Sequence, residues 1–502
     1  MASKMFMGDM PELIENILNN LKYDFCSLYS CAFVSRQWCK ISIPILWQDP
    51  FSFEQNSFFI SNYISSLAED EKLVLKECLK GCDINPKFSE TLFDYARFLK
   101  VLDLSCLISK VKECTYFKFD DSLTNRIINL LIKLFVESGA TLHELYLCFP
   151  INKINPETFY SLEQNERFFS RLQNLSLKNI VSYIKTESTT TLLRVLAKNV
   201  TKISSLEISN FYRNYEPRLL YTDTLRCIIK SQEQLKQINL VNLVGEFSTG
   251  IFSTLESQKN SLQEVIIGNC DYDAEVEVPK NCKNLETLRI RYCDKKLLKR
   301  LNYKINNLEI VYDKIDALTI VHILEKSGTL LQRLKLGSVR EYIWNEPLLL
   351  ETLKSFCPNI TYLDIIDIGF STQFIELISN LQKLQFLTLF SLTDLPEEES
   401  KIRVMQFAEI IPLTLRYFNL RGPWLNSYID IFLNHCNAPL KNLLVEFLNN
   451  EKHTKALIEF CIRNKTLNYV SVFRHWNLDY NVRKEMEKYV TLLPHHNMVV
   501  NF

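Results

Sequence analysis

Leu285-Glu-Thr-Leu-Arg-Ile290, Leu331-Gln-Arg-Leu-Lys-Leu336, Ile360-Thr-Tyr-Leu-Asp-Ile365 and Leu384-Gln-Phe-Leu-Thr-Leu389 are four copies of one hexapeptide pattern, LxxLxL with aliphatic exchanges. Working outward in both directions, the pattern also begins at Leu99, Leu142, Leu172, Ile203, Leu235, Leu262, Ile305, Leu415, Leu440 and Leu467. A single match would be worthless. Fourteen starts between Leu99 and Leu467 leave thirteen intervals averaging about 28 residues, which is a structural period. Side chains alternate along a strand, so the last two apolar residues of each copy face one side and the residues around them face the other. Between copies, apolar residues recur at three- and four-residue spacing, as in Leu348, Leu349, Leu353 and Phe356, or Ile429, Phe432 and Leu433. Each unit therefore reads as strand plus helix, too small to bury its own apolar face and stable only against its neighbours.

These features resemble the long, helix-bearing leucine-rich repeats, and the resemblance covers about four-fifths of the chain. It implies an α/β horseshoe solenoid with parallel strands on the concave side and helices on the convex side. The spacing wanders from 20 residues (Leu285 to Ile305) to 43 (Leu99 to Leu142), so the first gap is expected to hold a degenerate unit or an inserted helix around Leu123 to Val136. Cys282, Cys357 and Cys436, just before a copy, and Cys270 and Cys293, just after one, read as small buried residues.

Composition narrows the function. With 58 basic and 58 acidic residues among 502, the whole-chain field attracts neither nucleic acid nor a membrane surface, and neither partner is expected. Only 10 glycines are present, and the nearest approach to a phosphate-binding loop, Gly245 to Gly250, continues into Ile251 and Phe252 where Lys and Ser/Thr are required. The 15 cysteines include no CxxC pair, Cys78 and Cys82 lack partners for a zinc set, and the seven histidines form no spaced ligand motif. No metal, no cofactor and no enzymatic activity are expected. Glu397 to Glu399 reads as an exposed helix start, and Lys295, Lys296, Lys299 and Arg300 as one solvated helix face. There is no apolar run long enough to span a bilayer and no signal-like apolar region at the N-terminus, so the expected compartment is cytoplasm or nucleus.

Before the repeats the period changes. Asp9 and Glu12 flank Pro11 in a capping-box arrangement, followed by Leu13, Ile14, Ile17, Leu18 and Leu21 on one helical face. A second helix is expected from about Asp24, carrying Leu28, Cys31, Val34 and Trp38, and a third over roughly Ile41 to Trp47. Met10-Pro11-Glu12-Leu13-Ile14 with Ile17, Leu18 and Leu21, then Val34-Ser35-Arg36-Gln37-Trp38, then Pro44-Ile45-Leu46-Trp47, resembles an F-box. Met10 stands where that family has leucine, and Ser35 where it has cysteine. The resemblance implies a three-helix motif over residues 9–50 that docks on the Skp adaptor of a cullin-RING ubiquitin ligase. The residues it assigns to adaptor binding are Pro11, Leu13, Ile14, Ile17, Leu18, Leu21, Leu28, Val34, Trp38, Leu46 and Trp47. Residues 51–98, with Phe51, Phe53, Phe58, Phe59, Tyr63 and Leu67, read as a helical connector packed on the first repeats, and residues 99–502 as the repeat domain with about fourteen units. The other reading of residues 9–50 is a helical cap that seals the solenoid.

An F-box followed by such repeats implies a substrate receptor of a ubiquitin ligase; the alternative is a repeat scaffold that binds its partner without a ligase. The residues flanking the inward pairs select a surface for a protein substrate. Thr287, Arg289, Arg291, Arg333 and Lys335 make its basic part; Tyr362, Phe386, Phe390, Tyr417 and Arg421 continue it as largely aromatic. Outward phenylalanines call for a cover. That cover is either a protein segment pairing an acidic or phosphorylated group with an apolar anchor, or a loop or the C-terminal residues Val499, Val500 and Phe502 of the chain itself.

Overall fold

The computed structural model describes residues 11–53, 58–80, 91–114, 121–148, 162–179, 187–211, 218–270, 282–293, 298, 304–312, 317–338, 343, 345–391, 395–446, 448, 451–472, 480–494, 498 and 500. Asp9, Met10, Cys82, Lys295, Lys296, Lys299, Arg300, Val499 and Phe502 lie outside them. Contacts divide the chain into two units, residues 1–262 and 263–502.

The first unit opens with helices Pro11–Asn19, Phe25–Cys31 and Arg36–Leu46. Their boundaries correct the sequence reading. The second helix stops at Cys31, so Val34 lies in the turn and Trp38 belongs to the third helix, which begins five residues earlier than expected. The physical reason is Ser35. Its side-chain oxygen accepts from the Trp38 N–H at 3.2 Å and starts the third helix, as Asp24 does for the second by accepting from the Ser27 N–H at 3.0 Å. Ile14, Leu18, Leu28, Ile45 and Leu46 are the buried interior.

The connector supplies helices Phe58–Ser65 and Glu69–Lys80 and a short turn at Tyr95–Phe98. Trp47 is their hub: its ring stacks on Tyr95 (centroids 4.0 Å apart) and meets Phe59 (4.7 Å) and Tyr63 (5.0 Å) edge-on. Tyr63 in turn meets Phe135 at 5.0 Å, on helix Asp121–Glu137, the helix expected in the long first gap. The Gln48 carbonyl, just beyond the third helix, accepts the N–H groups of both Lys100 and Val101 at 2.9 Å. The Lys100 carbonyl does the same for His143 and Glu144, and the His143 carbonyl for Gln173 and Asn174. Gln48 thus acts as a rung before the first strand, so the helices and the first repeats share one hydrogen-bond relay.

Strands β1 (Val101–Asp103), β2 (Glu144–Cys148), β3 (Asn174–Lys178), β4 (Ser205–Phe211) and β5 (Gln237–Leu243) pair in parallel, each with the next. The second unit continues with β6 (Glu264–Gly268), β7 (Thr287–Arg291), β8 (Asn307–Tyr312), β9 (Arg333–Ser338), β10 (Tyr362–Ile366), β11 (Phe386–Phe390), β12 (Tyr417–Arg421), β13 (Asn442–Val445), β14 (Tyr469–Val472) and β15 (Thr491–Leu492). These too pair only with sequence neighbours, all parallel. The fold is a leucine-rich-repeat solenoid. Each of the fourteen sequence copies makes one strand, and β15 adds a strand that carries no copy. Leu288, Leu308, Leu334, Leu363, Leu387 and Phe418 are in register and fully buried, as are Ile290, Ile310, Leu336, Ile365, Leu389 and Leu420 two residues on. Helices such as Ala317–Ser327, Glu346–Phe356 and Thr372–Asn380 pack side by side behind them.

Polar residues repeat with the same period. Just after β3 and at the last residue but one of β4 and β5, Asn179, Asn210 and Asn242 adopt left-handed backbone (φ 55°, 61° and 56°), which asparagine tolerates better than most residues. Asn210 Nδ2 donates to Asn179 Oδ1 at 2.8 Å, and Asn242 donates to Asn210, so the bends form a ladder. Gln232 staples two repeats from inside: Oε1 accepts from the Ile203 N–H at 2.9 Å while Nε2 donates to the Val200 carbonyl at 2.8 Å. Cys270, Cys282, Cys293, Cys357, Cys436 and Cys461 are buried, and burial pushes the thiols of Cys436 up to about 11 and of Cys357 and Cys461 up to about 12. All six fill space, and Cys357, Cys436 and Cys461 stay protonated at neutral pH.

Two substitutions separate these contributions. Leu334→Ala opens a cavity against two flanking rungs and is expected to cost about 2–5 kcal/mol. Gln232→Leu leaves a buried amide and carbonyl unpaired and is expected to cost about 1–3 kcal/mol. Urea midpoints of the purified variants provide the check; a Leu334→Ala loss below about 1 kcal/mol would mean that Leu334 does not pack as described.

Candidate functional site

Two surfaces stand out, one in each unit. On the N-terminal helices the sequence-assigned residues divide sharply. Ile14, Leu18, Leu28, Leu46 and Trp47 are buried within the chain, and Leu21 and Trp38 are half-buried. These residues shape the surface without forming it. Leu13 (42% exposed), Ile17 (39%) and Val34 (58%) face solvent, and Pro11 opens the first helix. Two further residues join them that sequence reasoning missed, Tyr29 and Phe33, the latter 73% exposed. Phe25 stacks on Tyr29 with centroids 5.5 Å apart and Tyr29 meets Phe33 edge-on at 5.0 Å. The four-residue spacing of Phe25, Tyr29 and Phe33 was the available signal. Aliphatic and aromatic side chains exposed on one small helical unit make it a candidate surface for an apolar partner.

In the second unit the expected strip lies on the solvent-side face of the strands, at the third, fifth and seventh positions of each copy. Its basic part carries counter-charges. Arg289 pairs with Glu264 at 2.8 Å across β6 and β7, and Arg291 grips Glu309 of β8 through two hydrogen bonds of 2.8 and 2.9 Å. Lys335 of β9 lies 3.7 Å from Glu309 and 3.5 Å from Asp364 of β10. Glu309 is the centre of this ladder and only 1% exposed. An acidic ligand would therefore have to compete with carboxylates already in place. The signal was legible: the fifth position of four successive copies reads Arg289, Glu309, Lys335, Asp364, alternating in sign, and parallel register makes them neighbours. Burial pushes the Asp364 carboxyl above its ordinary range, against the opposing pull of Lys335 and Arg421. Arg291 is held more firmly protonated by its hydrogen bonds to Glu309.

The aromatic part begins at Arg333, whose guanidinium lies 4.6 Å from the centre of the Tyr362 ring. Tyr362, Phe386 and Tyr417 occupy the third position on β10, β11 and β12, with ring centroids 6.1 and 5.6 Å apart. Leu444, at the fifth position on β13, packs beside Tyr417, and Leu493, Met498 and Val500 of the chain itself pack across these residues. Tyr362 Oη donates to the Val500 carbonyl at 3.3 Å, and the Val500 backbone also hydrogen-bonds the Tyr417 hydroxyl. Of the two expected covers, the C-terminal segment is present. Phe390 and Arg421, at the seventh position of β11 and β12, are half-buried, and the Phe390 ring lies beside Gly422, whose φ of 95° suits glycine.

Among the described residues no group of three or more His, Cys, Asp or Glu is placed to hold a metal ion, and no helix is long and apolar enough to cross a membrane. No protein-family model matches the chain, and no curated protein matches its sequence. Among solved structures it is similar to one described as the Rad7 and Elc1 complex in yeast, at 12% identity and a TM-score of 0.37, over 86% of this chain and 93% of that one. It is also similar to a Bacteroides fragilis protein (16%, TM-score 0.31, 49% and 68%) and to an LRR protein of Leptospira interrogans (13%, TM-score 0.28, 73% and 91%).

The charge ladder has two testable consequences. Glu309→Gln leaves Arg291, Lys335 and Arg289, the last 3.9 Å away, without their shared carboxylate and is expected to cost about 1–3 kcal/mol in urea, with a loss under about 0.5 kcal/mol excluding a central role. Asp364 binds its proton at higher pH in the folded chain than in the unfolded one, so its contribution improves as pH falls through the raised pKa towards the ordinary value and worsens as pH rises. The stability of Asp364→Asn relative to the unsubstituted chain is therefore expected to increase between about pH 4 and pH 7. A difference that is flat with pH would contradict the burial argument.

Proposed function

We propose that this chain is a non-catalytic substrate receptor of a cullin-RING ubiquitin ligase, its N-terminal helices docking on a Skp-type adaptor and its repeats holding a protein substrate. The observation that carries the reading is the apolar surface of Leu13, Ile17, Tyr29, Phe33 and Val34 on a three-helix unit whose sequence resembles an F-box. A helix bundle serving only to seal the first repeat would direct its apolar residues towards that repeat. Here Trp47, Phe59 and Tyr63 already make that seal, and a second apolar surface faces solvent. Ser35 also gives the departure from the family pattern a structural role, since it caps the third helix.

Exposed apolar anchors dominate such interfaces. Leu13→Glu/Val34→Glu, two changes at solvent-exposed positions, is expected to abolish co-purification with a Skp adaptor while leaving the circular dichroism and urea midpoint unchanged. Leu18→Glu, at a buried position, is expected to unfold the helices. If the double variant folds and still retains the adaptor, the docking surface is elsewhere. If the unsubstituted chain captures no adaptor, the protein is a repeat scaffold working without a ligase.

A further inference from the structure

The face formed by Tyr362, Phe386, Tyr417 and Leu444 combines two properties that a packing surface does not need together. Its rings offer a continuous apolar bed across four adjacent rungs. Two of them also carry hydroxyls, and both hydroxyls address the backbone of one residue: Tyr362 Oη donates to the Val500 carbonyl, and Tyr417 Oη meets the Val500 backbone. Main-chain hydrogen bonds recognise a peptide whatever its side chains, while the bed selects apolar ones; this division of labour is common to peptide-recognition surfaces. The segment now seated there supplies Met498 and Val500, two residues apart, both packed on the bed.

The contact is small beside the rest of the unit. Leu387, Leu389, Phe418 and Leu420, on the opposite side of the same strands, are buried by helices as well as by both neighbouring rungs. Among the described residues, the covering ones meet the sheet through Leu493, Met498, Val500 and the tyrosine contacts; the two-residue strand β15 precedes them, and the Leu493 N–H donates to the Val470 carbonyl of β14 at 3.0 Å. Arg333 and Lys335 border the bed on one side, Lys335 paired with Asp364, so the charged row limits its extent.

We propose that the solvent-side face of β10–β13 is a binding site for a peptide segment bearing two apolar side chains two residues apart, and that Leu493, Met498 and Val500 are its tethered, displaceable occupants. The site takes an apolar peptide with a free main-chain amide and carbonyl rather than an acidic or phosphorylated one, because Lys335 beside it is already paired with Asp364 and the Arg333 guanidinium lies against the Tyr362 ring. An incoming segment must outcompete the tethered one, whose local concentration through a short link is on the order of millimolar. The assignment needs only the second unit and is independent of adaptor docking.

The test uses the full chain and a fluorescent synthetic peptide of residues 493–502, LPHHNMVVNF. Met498→Glu/Val500→Glu in the protein releases the tethered segment and is expected to raise affinity for this probe about tenfold over the unsubstituted chain. Adding Tyr362→Phe/Tyr417→Phe is expected to reduce it again by about tenfold, and a probe carrying the same two glutamates should not bind. Equal binding by the unsubstituted and released chains, or no binding to a released chain with an unchanged urea midpoint, would overturn the proposal. Hydrogen exchange on the unsubstituted protein gives a second measure that requires no variant. The Val500 amide is expected to exchange at least about a hundredfold faster than that of Leu389, and equal protection would mean that the segment is a fixed part of the fold.

Discussion

A parallel strand in this protein cannot satisfy its own backbone. Within each unit the N–H groups at the start of a rung find their acceptor in the preceding repeat, at a carbonyl one residue before that repeat's strand: Lys100 serves His143 and Glu144, Gln332 serves Thr361 and Tyr362, Gln385 serves Arg416 and Tyr417. Everything else is arranged around that dependence. A chain of such borrowings needs a first lender, and Gln48 fills the role. The helical N-terminal region is therefore joined to the repeats by the same interaction that joins repeats to one another, and the aromatic cluster around Trp47 fixes the geometry at which it does so. An adaptor bound to those helices would be held to the first repeats by buried contacts rather than by a flexible link.

Because register is shared by the neighbouring rungs of each unit, each position of the hexapeptide becomes a row across that unit's strands. Positions four and six make the two buried aliphatic rows. Position five, on the other side, becomes a row in which neighbouring residues are about 4.8 Å apart and like charges would repel. The alternation Arg289, Glu309, Lys335, Asp364 resolves that repulsion. The cost of burying the Glu309 carboxylate, 1% exposed, is offset by a bidentate arginine and a nearby lysine. The row then passes to Thr388, Asn419 and Leu444, which need no counter-charge.

The strands were legible because one pattern repeated fourteen times, and a period of two fixes which residues turn inward once the strand is recognised. Helix edges were less so, since Ser35 acts through a hydrogen bond to Trp38 that no periodicity announces. The exposed Tyr29 and Phe33 and the buried Ile14 and Leu18 have the same apolar character in sequence; only the packing of the third helix decides which of them water reaches. The basic strip was read one copy at a time, and its neutralisation became visible only when copies were aligned as rungs. The cover over Tyr362 involves Val500, 138 residues away, and an aromatic row needing a cover does not say from where in the chain the cover comes.

The two sides of one strand therefore live under different conditions. Leu389 and Leu420 can lose their surroundings only if neighbouring rungs separate, which breaks the relay and costs the cooperative stability of the unit. Phe386 and Tyr417, three residues away on those strands, are covered instead by Leu493, Met498 and Val500, whose lifting would break the Leu493–Val470 backbone bond and none of those between β10, β11, β12 and β13. Local opening energies in proteins range from near zero to the global value, and this arrangement puts both extremes on a single strand. A rigid solenoid can in this way hold an apolar surface in a fixed shape, keep it out of water, and still present it, because the element that covers it is not one of the elements that build it.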